Sequence, residues 1–241
     1  MDNIAEATKM QQKMNFIQEN TKRIKENLNS NNTPIFIELM GTPKSGKTTL
    51  TKSLKTLFEK SKIDIEIRRE TAEYNPISKE AESYNLWMIL ELFKNLIEDI
   101  ENGKGKIIIY DRGIIDRIAW LNLAVRDESI AESDFEAIKR LYDLKTIREK
   151  YKPIVYGFYT TPELSIERKG RPGKFVNVQS LNTYNEKFLS EQKDIRRIAS
   201  AYKFIETDQY QGKIEDFIVD CSLSLTDIVK NLTKNKELEE K

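Results

Sequence analysis

The sequence predicts an α/β fold of three layers, in which helices cover both faces of a five-stranded parallel sheet. The first observation is that short apolar runs alternate with longer segments of helical periodicity along most of the chain. The second is that several runs are almost entirely apolar, as expected for strands that are buried on both faces. The third is a glycine-rich turn, GTPKSGKTT (41–49), that joins the first apolar run to a helical pattern.

Five segments are predicted to be strands: IFIELM (35–40), KIDIEIRRE (62–70), IIIYD (107–111), PIVYGFY (153–159) and KFIETD (203–208). Helical periodicity follows the glycine-rich turn and recurs over 84–100, 113–126, 134–150, 162–169 and 214–232. In the helix over 84–100, we expect the inner face to carry Leu86, Leu90, Phe93, Ile97 and Ile100. No repeat or low-complexity linker divides the chain, so we expect one domain over 34–231 and a charged tail over 232–241.

Residues 1–33 form a polar extension with a short heptad-like stripe: Met10, Met14, Ile17, Thr21, Ile24 and Leu28. The stripe predicts a helix, and NSNNTP (29–34) ends it. Two interpretations are open: a helix that docks on its own domain, or a helix for dimerisation. Because the heptad run is short, we favour docking.

Composition excludes several classes of protein. The chain of 241 residues has no histidine, which removes Ser-His-Asp and Cys-His catalysis and histidine-containing zinc sites. Its formal charge of +1 gives no electrostatic case for nucleic-acid binding. The single cysteine, Cys221, fits a reducing compartment and is expected to be buried. Without an apolar span or a signal-peptide core, we expect a cytoplasmic protein that does not enter membranes.

The glycine-rich turn matches the pattern Gly-x-x-x-x-Gly-Lys-Thr in its strand–turn–helix context. Backbone N–H groups of such a loop surround phosphate oxygens, and the helix directs its positive end at them. We therefore predict a P-loop NTPase fold that binds ATP through Gly41, Thr42, Pro43, Lys44, Ser45, Gly46, Lys47, Thr48 and Thr49. Lys47 would reach the outer phosphates, and the Thr48 hydroxyl would bind Mg²⁺.

Three further segments predict the remaining chemistry. Asp111 and Arg112 follow a buried strand, where Asp111 could bind Mg²⁺ opposite Thr48 and Arg112 could bind a second anion. In RRET (68–71), Arg69 could grip a phosphate and Glu70 could accept a proton, with Glu73 as the alternative base. The basic segment IERKGRPGK (166–174) suits a mobile lid near 166–176 that stabilises charge on a transferring phosphoryl group. Together these segments predict phosphoryl transfer from ATP to a small acceptor.

The order of these segments resembles the thymidylate kinase and deoxynucleoside kinase group of P-loop kinases, over about residues 34–220. FYTTPELSIERKGRPGK (158–174) is similar to their strand, short helix and lid, and SLNTYNEKF (180–188) to the tyrosine-containing helix that follows. The resemblance implies an α/β P-loop fold, ATP and Mg²⁺ as cofactors, a nucleoside or nucleotide acceptor and a possible homodimer.

The same resemblance assigns roles to individual residues. Arg69 and Glu70 match the acceptor-side base or phosphate grip. Asp111 and Arg112 match the acidic–arginine pair that serves Mg²⁺ and the substrate. The remaining matches are the lid arginines and the residues against which an acceptor base would stack, namely Arg168, Arg171, Tyr84 and Trp87.

Departures from the family pattern leave the acceptor open. Arg-Glu-Thr replaces the usual Arg-Glu-Pro of thymidylate kinases, Asp-Arg-Gly replaces Asp-Arg-Tyr, and the Glu-Arg-Ser of deoxynucleoside kinases is absent. The acceptor could be a nucleoside, a nucleoside monophosphate or another small hydroxyl compound. A regulatory ATPase acting through a protein partner is the alternative from another class, and the N-terminal helix favours it. No Asn-Lys-x-Asp motif points to a GTPase, and no helicase-like set of motifs is present.

Overall fold

The computed structural model describes residues 2–30, 33–126, 128, 130–172, 176–190, 192–210 and 213–239. Its centre is a five-stranded sheet of β1 (Ile35–Gly41), β2 (Ile65–Arg68), β3 (Ile107–Asp111), β4 (Ile154–Tyr159) and β5 (Ala201–Glu206). The strands lie in the order β2-β3-β1-β4-β5, and every neighbouring pair is parallel. The predicted five-stranded parallel sheet is therefore confirmed.

Ten α-helices are described around this sheet. They are α1 (Asp2–Ser30), α2 (Lys47–Lys60), α3 (Tyr84–Asn102), α4 (Ile114–Arg126), α5 (Glu132–Tyr142), α6 (Lys145–Lys150), α7 (Pro162–Lys169), α8 (Val178–Ser190), α9 (Gln192–Ile198) and α10 (Ile214–Glu239). The predicted helix over 134–150 is divided into α5 and α6. The helix predicted to end at 232 continues as α10 to Glu239, through most of the predicted charged tail.

Side chains that alternate along β1 divide the core into two layers. Ile37 and Leu39 pack into a cluster with residues of α1, α2 and α10. Phe36 packs on the opposite face with α3, and Met40 packs there with α4 and α8. Both faces of the sheet are therefore covered, which confirms the three-layer α/β fold. Among the described helices, none is long and apolar enough to cross a membrane.

The N-terminal helix α1 is part of the core and packs mainly on α10. Ile24 and Leu28 are at most 4% exposed and belong to the same cluster as the strand residues of β1. Lys13 of α1 forms an ion pair with Asp220 of α10, and the Lys230 ammonium lies 5.1 Å from the ring centre of Phe16. These contacts confirm the interpretation of α1 as a docked helix.

If α1 stabilises the domain, Ile24→Ala should lower the free energy of unfolding by about 2–5 kcal/mol, because it leaves a cavity at a fully buried site. Urea denaturation measures the loss. Leu90→Ala is a matched control, since Leu90 is 50% exposed and its truncation leaves no cavity. Equal unfolding free energies for the two variants would contradict the docking of α1.

The expected inner face of α3 was wrong for three of its five residues: Leu86, Leu90 and Ile97 are between 45% and 50% exposed. Ile100 is buried and Phe93 packs against the core, as predicted. The other buried side chains of α3 are Met88, Ile89, Leu92, Asn95, Leu96 and Asp99. Two polar residues, Asn95 and Asp99, lie on the inner face and interrupt its apolar pattern, so the sequence did not indicate this face. Asp99 is there because it accepts hydrogen bonds from Arg68 Nε at 2.9 Å and from the Tyr110 hydroxyl.

Candidate active site

The carboxyl ends of β1, β2, β3 and β4 meet at one edge of the sheet, where parallel α/β proteins place their ligands. The loop after β1 leads directly into α2. Gly41 and Gly46 have φ angles of 136° and 96°, which residues other than glycine rarely adopt. A Cβ atom on Gly41 would lie 2.1 Å from the Phe158 carbonyl oxygen of β4, so only glycine fits there. The predicted loop is thus built against the neighbouring strand.

Lys47 folds back onto this loop and is only 5% exposed. Its ammonium donates hydrogen bonds to the carbonyls of Gly41 at 2.9 Å and Thr42 at 2.7 Å, and to the Ser45 hydroxyl at 3.2 Å. Burial lowers the pKa of Lys47 to about 7, and the charge of Arg112 adds to this effect. An arriving phosphate would favour the charged ammonium and offset this cost.

A cavity of about 680 Å³ opens beside the loop and α2. Loop residues 44–49 form one wall, and Arg168, Tyr210 and Phe217 contribute to the others. The Arg168 guanidinium donates to the Lys44 carbonyl at 3.3 Å. The Ser165 hydroxyl of α7 donates to the Pro43 carbonyl at 2.7 Å. The basic end of α7 therefore lies on the loop over 41–49 that is predicted to bind phosphate.

Thr48 and Asp111, the two candidate metal ligands, are brought together by α2 and β3. The Thr48 hydroxyl donates to Asp111 Oδ2 at 2.8 Å, and Asp111 is 7% exposed. A hydroxyl and a carboxylate are oxygen ligands of the kind that Mg²⁺ prefers. Within the described ranges no group of three or more acidic, histidine or cysteine side chains could hold a metal. Thr48 and Asp111 could therefore supply two oxygen ligands to a Mg²⁺ ion.

Arg112 connects the predicted base to the phosphate-binding loop through a residue that the sequence analysis missed. Arg112 Nη1 donates to Asp116 Oδ2 at 2.8 Å, and Arg112 Nε forms an ion pair with Glu70 Oε2 at 3.1 Å. Asp116 Oδ1 in turn accepts from the Gly41 backbone N–H at 2.9 Å and from the Tyr184 hydroxyl at 2.7 Å. This network fixes Glu70, Arg112 and the start of the loop relative to one another.

The electrostatics of this network are those of a buried ion pair. Asp116 is fully buried, which by itself would raise the pKa of its carboxyl. The charges of Arg112 and Lys47 outweigh burial and hold the pKa of Asp116 below its usual value. Arg112 has a φ of 68°, a conformation that costs a non-glycine residue on the order of 1–3 kcal/mol and that is frequent at functional sites.

Glu38, a second residue that the sequence analysis missed, explains the glycine in Asp-Arg-Gly. A Cβ atom on Gly113 would lie 2.4 Å from the Glu38 carboxyl carbon, so the Glu38 side chain occupies the space of a larger residue. Glu38 Oε1 accepts from the Asp116 backbone N–H at 2.9 Å, and Oε2 accepts from the Tyr151 hydroxyl at 2.8 Å. Burial raises the pKa of Glu38 to about 7 despite these hydrogen bonds.

The raised pKa of Glu38 predicts a pH-dependent stability. The folded protein keeps the proton up to pH about 7, whereas the unfolded chain releases it near 4.5. Folding therefore binds a proton between these values, and stability falls as the pH rises through this window, by up to about 3 kcal/mol. Glu38→Gln should remove this part of the pH dependence. Urea denaturation at pH 5 and 8 measures it.

The exposed Glu136 of α5 supplies the control for this experiment. Glu136→Gln should leave the difference in unfolding free energy between pH 5 and 8 unchanged. If Glu38→Gln shows the same difference as the wild type, the Glu38 carboxyl does not carry the proton uptake.

The predicted acceptor residues divide into two groups. Glu70 joins Arg112, as described above, and Tyr84 lies at the start of α3 within the electrostatic influence of Glu70. Arg69 and Trp87 both contact Tyr74 instead: the Arg69 guanidinium lies 5.8 Å from its ring centre, and the Trp87 ring packs edge-on at 5.8 Å. Glu73 is exposed and lines the cavity beside the phosphate-binding loop.

The predicted lid begins at the end of α7 and is described only in part. Arg168 reaches the phosphate-binding loop, whereas Arg171 is exposed just beyond α7. Lys174, with residues 173 and 175, lies outside the described residues.

Two sequence signals could have revealed the missed residues. Glu38 is the one charged residue in the apolar run IFIELM, and a charge in a fully buried strand requires a partner. Asp116 lies four residues after Arg112, a spacing that pairs opposite charges at the start of a helix.

The fold and the loop define a class: the protein has the three-layer fold of a P-loop kinase. Comparison with solved structures agrees. Two structures of deoxyadenosine kinase from M. mycoides are similar to this chain. The first, with products dCMP and a flexible dCDP bound, has a TM-score of 0.61 at 15% identity and covers 80% of this chain and 100% of the kinase.

The second, with bound dATP, has a TM-score of 0.57 at 16% identity and covers 78% of this chain and 98% of the kinase. No family profile and no curated protein matches the chain. The similarity therefore establishes a fold shared with this deoxyadenosine kinase.

Proposed function

We propose that the protein is a kinase that transfers the γ-phosphoryl group of ATP to a nucleoside or a nucleoside monophosphate, with Mg²⁺ as cofactor. One observation carries the proposal: Asp116 and Arg112 connect Glu70 at the end of β2 to Gly41 at the start of the phosphate-binding loop. A phosphoryl transferase needs its acceptor and its phosphate donor held in fixed relation, and this network provides that.

The donor side of the proposed reaction uses the loop and α2. Lys47 binds the outer phosphates as a point charge, and the free backbone N–H groups of residues 44–49 bind the others. Thr48 and Asp111 hold Mg²⁺, which when bound offsets the negative charge of the phosphate oxygens. Arg168 and Arg171 stabilise the charge that develops on the transferred group once the basic end of α7 closes over it.

The acceptor side uses the carboxyl end of β2 and the start of α3. Glu70 orients or deprotonates the hydroxyl of a nucleoside, and its ion pair with Arg112 fixes the position of its carboxylate. A phosphate acceptor would need no base, because its nucleophile is already anionic. Tyr84 borders this side, and Trp87 packs beside it against Tyr74.

The experiment measures ADP formation from ATP in the presence of nucleosides, nucleoside monophosphates and unrelated hydroxyl compounds, with Lys47→Ala as the blank. We expect one nucleoside or nucleotide to raise the rate well above the blank. If only an unrelated hydroxyl compound raises the rate, the protein is a kinase, but its acceptor is neither a nucleoside nor a nucleotide.

Acceptor-independent hydrolysis of ATP would instead refute the kinase. The feature that favoured a partner-acting ATPase was the N-terminal helix, and the docking of α1 in the core accounts for that helix without a partner. We further propose a cytoplasmic location, where ATP and Mg²⁺ are available. We also propose a homodimer, which light scattering tests.

A further inference from the structure

Arg117 of α4 is a buried arginine that has no carboxylate partner among the described residues. It is 6% exposed, and its Nε–H has no hydrogen-bond acceptor in the same part of the chain. The one side-chain hydrogen bond of Arg117 to a described residue is long, 3.4 Å from Nη2 to the Thr71 hydroxyl. Arg112, five residues earlier and equally buried, has two carboxylate partners, Asp116 and Glu70. In the described part of the chain no acidic side chain forms an ion pair with Arg117.

A charge buried in this way is costly. Moving a guanidinium out of water costs several kcal/mol unless a counter-charge and hydrogen-bond acceptors replace the lost water. The protein supplies a weak acceptor in the Thr71 hydroxyl and no counter-charge among its described side chains. An unpaired guanidinium beside the proposed reaction site indicates that the missing acceptor or counter-charge belongs to the bound ligand.

The surroundings of Arg117 place it on the acceptor side of the site. Thr71 directly follows Glu70 at the end of β2. Burial raises the pKa of the Tyr84 hydroxyl, and the nearby charge of Arg117 opposes that rise. Burial also raises the pKa of the Tyr142 hydroxyl, and the charge of Arg117 opposes this rise as well. The Tyr142 oxygen is buried and has no hydrogen-bond partner among the described residues. Arg117 therefore contacts the segment that follows β2, and its charge acts on the hydroxyls of Tyr84 in α3 and Tyr142 in α5.

The unpaired group of Arg117 is a donor: its Nε–H is buried without an acceptor in the described part of the chain. A guanidinium can only donate. The complementary ligand group is therefore rich in acceptors and preferably negative, as are carbonyl and phosphate oxygens.

We propose that Arg117 binds an oxygen of the acceptor substrate, either a nucleobase carbonyl or a phosphate, through the N–H groups that the protein leaves unpaired. The inference rests on the proposed kinase function and narrows its acceptor class. Bases that carry a carbonyl next to the sugar or on the outer edge, or nucleoside monophosphates, complement Arg117. Unphosphorylated deoxyadenosine has no carbonyl and is expected to be a poor acceptor.

The test compares Arg117→Met, which keeps the length of the side chain without its donors, with Arg126→Met as the matched control. Arg126 is exposed at the end of the same helix. Initial rates are measured with thymidine, deoxycytidine, deoxyguanosine, deoxyadenosine and their 5′-monophosphates. We expect kcat/KM for the preferred acceptor to fall about tenfold to a hundredfold in Arg117→Met, as for a lost hydrogen bond to a charged group.

Three further readouts separate ligand binding from a structural role. The KM for ATP should stay within about twofold, because the donor side is unchanged. The melting temperature should stay the same or rise, since an uncompensated buried charge is removed. If the wild type phosphorylates carbonyl-bearing nucleosides, Arg117 binds the nucleobase carbonyl. If it phosphorylates only monophosphates, Arg117 binds the phosphate.

Unchanged kcat/KM for every acceptor, a wild-type preference for deoxyadenosine, or a lower melting temperature with intact kinetics would overturn the role of Arg117. A wild type that phosphorylates none of the eight compounds would refute the proposed function instead. In that case the role of Arg117 is tested by measuring the melting temperature of the protein in the presence of each compound. Stabilisation by a carbonyl- or phosphate-bearing compound that is lost in Arg117→Met supports the inference, and no stabilisation by any compound overturns it.

Discussion

Lys47→Ala should reduce phosphoryl transfer at least a hundredfold while the domain remains folded. The side chain is buried at the centre of the phosphate-binding loop and is the one loop cation that the loop itself surrounds. Removing it eliminates a charge that would stabilise the outer phosphates in the transition state. A loss of about 3 kcal/mol of such stabilisation corresponds to a hundredfold lower rate. Initial rates of ADP formation with the preferred acceptor measure the effect.

Lys44→Ala is the matched control, because Lys44 is an exposed lysine of the same loop. We expect it to lower the rate much less than Lys47→Ala. Circular dichroism and thermal melting establish that both variants are folded. A folded Lys47→Ala variant with a rate within tenfold of the wild type would contradict the assigned role of the loop.

Asp116→Asn should have the largest effect on stability. The carboxylate is fully buried and neutralises Arg112, and the same group accepts from Gly41 and Tyr184. An asparagine keeps the shape but leaves Arg112 with only the partly exposed Glu70. Breaking a buried ion pair by removing one partner costs about 3–5 kcal/mol. Urea denaturation at pH 7 measures the loss, and transfer should weaken with it, because the network positions the loop.

The pH dependence distinguishes this charge effect from a packing effect. The pKa of Asp116 is held low in the folded protein, so its contribution to stability is present at pH 7 and is lost as the pH falls through the folded pKa. The difference between wild type and Asp116→Asn should therefore shrink in acid. Asp134→Asn, at an exposed position in the first turn of α5, should cost less than about 1 kcal/mol. Similar losses for the two variants would argue against the network.

Local patterns predicted the loop and the sheet, because each depends on neighbouring residues. The spacing of Gly41, Gly46 and Lys47 specifies a phosphate-binding loop only between a strand and a helix, and both could be predicted from their apolar patterns. The pairing of Thr48 with Asp111 could be anticipated, because carboxyl ends of parallel strands meet at one edge of the sheet.

Contacts between distant segments could not be predicted in this way. Glu38 and Asp116 are 78 positions apart, and nothing local indicates that the strand carboxylate accepts from the helix. The inner face of α3 was misassigned in part because Asp99 is buried by its contacts to Arg68 of β2 and Tyr110 of β3. Burial of Arg117 is likewise a product of tertiary packing around α4, and its residue type alone suggests a surface position.

The pairing of α1 with α10 also governs when the protein can fold during its synthesis. Lys13 and Asp220 are 207 positions apart, and Ile24 and Leu28 of α1 share a core cluster with α10. At about 5–20 residues per second, a ribosome needs roughly 10–40 seconds to make the intervening chain. Throughout that time the apolar stripe of α1 lacks its partner. The nascent chain therefore leaves this apolar stripe exposed, and accessible to chaperones, until α10 has been synthesised. The core that α1 and α10 share can form only then.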